Sequence, residues 1–117
     1  MTRDLPHLSA RLRDFTAERG WERFHDPKSL ILALVGEVGE LAELFQWVDA
    51  ADAREVFQDP GRQQRAAEEM SDVLIYLTHL ANVLDIDLAA AAHDKLTAAA
   101  ERYPATDGTA TPPPQHD

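Results

Sequence analysis

The chain has 117 residues, 44% of them apolar, no cysteine, and a formal net charge of −10. That length suits one domain with a modest core, so association of copies is a ready way to bury more apolar surface. The excess of acids, 21 Asp plus Glu against 11 Lys plus Arg, excludes a broad basic surface for polymeric nucleic acid, and the absence of thiols excludes disulfides and thiolate metal sites.

No apolar run approaches the roughly 18–20 residues that span a bilayer. The charged, amphipathic start to Leu12 lacks an apolar signal-peptide centre. A soluble cytoplasmic protein is expected, with no membrane partner.

In chain order, Leu5, Leu8, Leu12 and Phe15 recur at helical spacing and predict a first helix that Gly20 ends. Trp21 to Asp26 is a connection carrying two aromatics and a histidine. Asp26-Pro27 then pairs an N-cap with a proline at the first helical position. The second helix is expected to reach about Val48, with Leu30, Leu34, Val38, Leu41, Phe45 and Val48 on its apolar arc. Gly36 and Gly39 weaken it by about 1 kcal/mol each relative to Ala, which fits a close backbone neighbour.

Asp49 to Asp59 reads as an acidic loop with room for one helical turn. Asp59-Pro60 repeats the start signal, and Ala66, Met70, Val73, Leu77, Leu80 and Leu84 line a third helix. Asp85-Ile-Asp87 caps a fourth, alanine-rich helix from about Leu88 to Arg102, stopped by Pro104. No strand alternation is present. The fold class is all-α, a four-helix bundle spanning residues 1–104. Residues 105–117, rich in Thr, Pro and Gly, read as a disordered tail.

Two acidic pairs carry the chemistry. In Glu37-x-x-Glu40 and Glu69-x-x-Asp72 the acids are three apart, neighbours on a helix surface. One such pair is common on solvated faces. Here Glu37 stands inside an apolar arc, Glu40 at its edge, and Glu69 beside Tyr76 on the flank of the next helix, with Asp72 just beyond. Four converging carboxylates require a cation. Hard oxygen donors favour Mg²⁺, or Mn²⁺, carrying a phosphorylated substrate. A di-iron bundle wants Glu-x-x-His on two helices, and the chain spells it once, at Glu22 to His25, in a connection. Glu43 and Glu68 point elsewhere and read as solvated or paired. His79 and His93 read as surface or interface residues.

The run Trp21-Glu-Arg-Phe-His25, then Gly36-Glu-Val-Gly-Glu-Leu-Ala-Glu-Leu-Phe-Gln-Trp47, then Glu68-Glu-Met-Ser-Asp-Val-Leu-Ile-Tyr76, resembles the MazG-like nucleotide pyrophosphohydrolases, in particular their dCTP pyrophosphatase branch. The likeness extends over roughly residues 8 to 104. It implies a house-cleaning hydrolase that cuts a nucleoside triphosphate between the α- and β-phosphates, and a homodimer or homotetramer with sites near its interfaces. It implies metal ligation by Glu37, Glu40, Glu69 and Asp72, and base contact by Trp21 and Trp47, with Tyr76 nearby.

Glu37 or Glu40 would then orient or deprotonate the attacking water. His25 is a candidate for base or phosphate contact, and Lys95 and Arg102 for phosphate neutralisation. The chain departs from the family pattern at Leu12, Ser29 and Ala99, where a histidine and two asparagines are expected. These departures leave base preference open. They also motivate the alternative of a non-catalytic helical module that binds Mg-nucleotide or a protein partner.

Overall fold

The computed structural model describes residues 2–106. Helices α1 (Leu5–Glu18), α2 (Pro27–Glu43), α3 (Ala53–Val56), α4 (Pro60–Val83) and α5 (Leu88–Arg102) follow one another, with a 3₁₀ turn at Glu22–Phe24 and no strand among the described residues. The expected tail lies, beyond Thr106, outside the described residues. No single described helix is long and apolar enough to cross a membrane.

The helix starts are built by the acids read from the sequence. Asp26 accepts from the Ser29 amide at 2.9 Å, Asp59 from Arg62 at 3.1 Å and Asp87 from Ala90 at 3.0 Å. Each satisfies an N–H that the first helical turn leaves without a partner. Asp4 serves α1 in the same way. Gly20, at φ +64°, closes α1 in a Schellman motif. The Trp21 amide donates to the Thr16 carbonyl and the Gly20 amide to that of Ala17, both at 3.1 Å. Asp85 repeats this closure at the end of α4 with φ 55°.

The second helix ends earlier than its apolar pattern suggests. From Leu44 the backbone bonds shorten to three-residue spacing, with Phe45 donating to Ala42 and Val48 to Phe45, each at 3.0 Å. The Phe45 ring stacks on Phe57 at 4.3 Å, which couples this turn to the segment after α3. That contact between distant residues supplies the reason for the early stop.

Packing centres on α2 against α4, with α1 laid on α4 and α5 against α1. Residues rising along α2 meet residues falling along α4, so the pair runs antiparallel. Asn82 fastens α1 to α4. It accepts from the Ser9 hydroxyl at 2.6 Å and from Arg13 at 2.9 Å, and donates to the Ser9 carbonyl. After the break at Leu84 to Asp87, α5 turns 101° from α4.

Among the described residues the buried interior is small, comprising Leu30, Ala66, Ala81, Thr16, Thr78 and Glu69. Much of the apolar surface faces out. Ile31, Leu32, Val35 and Val38 on α2, with Met70, Leu74 and Leu77 on α4, are exposed at helical spacing. Among the described residues, the close backbone neighbour expected at Gly36 and Gly39 is absent, for a methyl group built at either position meets only open space.

Candidate metal centre and adjoining aromatic cleft

The level of α2 carrying Glu37 and Glu40 faces the level of α4 carrying Glu69. One oxygen from each of these three carboxylates lies within 4.8 Å of the others. Glu69 is buried, Glu37 is half-buried and Glu40 is exposed. One oxygen of Glu37 and one of Glu69 are buried with no hydrogen-bond partner. Asp72, one turn along α4, is exposed and outside the converging three, yet its charge reaches Glu37.

Like charges held this close oppose their own ionisation. Burial first, then Glu40, Asp72 and Glu69, push the Glu37 carboxyl above the ordinary carboxylate range. A buried carboxylate oxygen without a donor is costly, and two together are rare in a native fold. The donor set is all oxygen, with no sulfur or imidazole. It therefore suits a hard divalent cation such as Mg²⁺ or Mn²⁺.

Among the described residues, one protein cation enters the cluster. The Arg65 guanidinium donates to the outer oxygen of Glu69 at 3.3 Å, four residues back on α4. Sequence reasoning missed it, although the i,i+4 spacing of Arg65 and Glu69 is a readable signal. Arg65 fixes one Glu69 oxygen and leaves the second, the orphaned one, for another partner.

Further along the α2–α4 pair, Trp21, Phe24, His25, Ser29, Leu30, Ala33 and Tyr76 line a cleft of about 320 Å³. The cleft thus gathers three candidates from the sequence, Trp21, His25 and Tyr76. Trp21 is set edge-on against Phe15 of α1, centroids 5.8 Å apart. Ser29 donates its hydroxyl to the Asp26 cap at 2.7 Å, which with the amide contact holds the Asp26 carboxyl below its usual value. The shorter side chain found in place of asparagine is thus engaged in starting α2 as well as lining the cleft.

The remaining candidates stand apart. Trp47 is 89% exposed in the turn after α2, beside a separate cleft that includes Glu43, Asp49 and Arg62. Lys95 and Arg102 are exposed on α5, and Arg102 lies over the neighbouring Tyr103 ring at 5.8 Å. His79, read as a surface or interface residue, is half-buried behind the aromatic cleft, where its ring meets that of His25.

Comparison with known proteins bears on the family of the chain. A family model described as MazG-like matches residues 33–111. The chain is 50% identical to dCTP pyrophosphatase 1 of Rattus norvegicus over 91 residues, covering 78% of this chain and 54% of that protein. The Homo sapiens protein of the same name is also 50% identical, over 92 residues. The chain therefore spans about half the length of these curated relatives. The crystal structure of a pyrophosphatase from Archaeoglobus fulgidus superposes with a TM-score of 0.77 at 35% identity, covering 90% of this chain and 96% of that one. Its fold, and the residues shared over most of its length, show that the chain belongs to the MazG-like family.

Proposed function

We propose that the protein is a metal-dependent pyrophosphohydrolase that converts a nucleoside triphosphate, dCTP or a modified dCTP, to the monophosphate and pyrophosphate. The observation that carries this reading is the carboxylate cluster with two buried oxygens lacking partners. Surface acids have water for company. The two buried oxygens of Glu37 and Glu69 lack a protein donor, and an anionic substrate could not approach the cluster unaided. The similarity to proteins named dCTP pyrophosphatase supports the choice of substrate.

Glu37, Glu40 and Glu69, joined by Asp72, would hold Mg²⁺ or Mn²⁺. Bound there, the ion supplies positive charge for the phosphate oxygens and for the charge that develops as the anhydride breaks. Glu40 is the exposed member of the cluster and so the one in reach of entering water. In this reading it orients that water and takes its proton. The water oxygen bonds to the α-phosphorus, the bond to the bridging oxygen breaks, and pyrophosphate leaves with that oxygen.

The cleft of Trp21, His25 and Tyr76 receives the base, since an aromatic wall stacks on any base and polar edges choose among them. Trp47 adds a base contact from the turn after α2. Lys95 and Arg102 neutralise phosphates when the C-terminal helix moves toward the cluster. The exposed apolar stripes of α2 and α4 fit self-association into a homodimer or homotetramer. The proposed setting is the cytoplasm.

The test is pyrophosphate release from a panel of deoxynucleoside triphosphates, with Mg²⁺ and with chelator. Release that requires the metal and favours a cytosine nucleotide is expected. Nucleotide binding without release from any member would assign the chain to the non-catalytic class that Ala99 motivates.

A further inference from the structure

Three rings of the aromatic cleft, those of Trp21, Phe24 and His25, come from a connection with little regular structure of its own. Trp21 and His25 flank the single 3₁₀ turn Glu22–Phe24. Each is met from behind by a ring on a long helix. Phe15 of α1 stands edge-on to Trp21 at 5.8 Å. His79 of α4 stands edge-on to His25, centroids 4.5 Å apart and planes at 62°. His79 also meets Tyr76, one turn before it, edge-on at 6.2 Å. His79 thus touches two of the rings that line the cleft without lining it itself. It opens instead on a neighbouring cleft of about 430 Å³ with Arg13, Asp14, Thr16, Glu22 and Asn82.

The geometry points to His79 as a positioning residue for nucleotide recognition, holding the His25 ring, and with it Tyr76, in the orientation that the base meets. The inference rests on the functional reading above. Its physical content is separate. A neutral imidazole carries one donor nitrogen and one acceptor nitrogen, so turning the ring exchanges what it offers to a base edge. No side-chain hydrogen bond fixes His25 among the described residues, and its backbone is held only by the amide bond to the Glu22 carbonyl at 3.1 Å. Ring contact is what remains to orient it, and His79 supplies that contact from a rigid helix.

The environment of His79 agrees. Burial, then the charge of His25 when protonated, depress its proton affinity. The charged groups facing it are Arg13 and Asp14 from α1 and Glu22 and His25 from the connection. A neutral His79 can sit against His25 without repelling it.

The experiment combines kinetics with a readout that needs no nucleotide. His79→Ala should raise KM for dCTP by roughly three- to tenfold and leave kcat within about twofold, the size expected for one aromatic pair. His79→Phe, which keeps an edge-on ring, should recover most of the loss. In a His25→Ala background, His79→Ala should add little, because the ring it positions is gone. Independent, additive effects would overturn the proposal, as would a fall in kcat with KM unchanged. By imidazole NMR on the metal-free protein, the titration midpoint of His79 should rise when His25 is replaced by Ala; an unchanged midpoint also overturns it. Wild-type protein that hydrolyses no nucleotide would strike the functional reading itself, while the NMR result still reports on the ring contact.

Discussion

Two levels of the same helix pair obey opposite rules. Where α2 carries Leu30 and α4 carries Thr78 and Ala81, the side chains are buried and satisfied, and the Thr78 hydroxyl returns to the Leu74 carbonyl at 2.7 Å. Two turns along α2, Glu37 and Glu40 face Glu69, and buried oxygens lack partners. Apolar residues of the same size would pack better there. A fold that holds repelling acids at a partly buried level gives up stability there, and in the proposed reading a bound cation restores it.

The largest expected effect breaks the acidic level. Glu40→Gln should lower the rate of pyrophosphate release by about 10²- to 10⁴-fold, the usual share of a proton-transfer group, with an unchanged helical CD spectrum. A variant turning over at the wild-type rate would remove Glu40 from the mechanism. Next in size is the aromatic cleft. Trp21→Ala should raise KM by roughly five- to a hundredfold, as the loss of one base-stacking ring implies. The more exposed Trp47 sharpens the contrast. If Trp47→Ala lowers only the oligomeric state and not the affinity for nucleotide, its role is packing.

The third effect is on stability. Mg²⁺ at a hundred times its dissociation constant should stabilise the wild-type protein by about 2.7 kcal/mol, seen as a rise in Tm of several degrees over chelator. Glu37→Gln relieves repulsion in the empty cluster. It should therefore melt higher than wild type in chelator and gain less from Mg²⁺. Equal gains in the two proteins would place the ion elsewhere.

The smallest effect belongs to the satisfied level. His79 is held below the ordinary imidazole value of about 6.5 by burial and by His25. Between that depressed value and about 6.5 the folded chain binds fewer protons than the unfolded one. The stability tied to His79 is thus fully present above about pH 6.5 and is lost as pH falls through the depressed value. His79→Phe should flatten this part of the profile of Tm against pH, measured in chelator. An identical slope in both proteins would show that His79 titrates normally.

Much of this was legible in the residues because it is local. The Asp-Pro starts at Asp26 and Asp59 and the Asp87 cap need nothing beyond their own turn, and the observed helices begin where they stand. The two acidic pairs were equally plain, since Glu37 interrupts an apolar arc. The end of α2 was not legible, because the apolar period runs on through Phe45 and Val48 while a ring twelve residues away bends the chain. Arg65 was overlooked although its spacing to Glu69 is readable. The contact of His79 was out of reach, since a lone histidine on a helix reads as a surface or interface residue until the fold brings His25 against it. The open space over Gly36 and Gly39 shows the same limit from the other side, for the glycines are plain and no neighbour meets them among the described residues.

The claim beneath the rest is that Glu37, Glu40 and Glu69 together bind a divalent ion. Anomalous scattering from crystals grown with Mn²⁺ tests it most directly. A peak among those three carboxylates, within about 2.0–2.3 Å of their oxygens, is the expected result for a hard cation on oxygen donors. Mn²⁺ bound only elsewhere on the protein, with the three side chains turned out to solvent, would contradict the account.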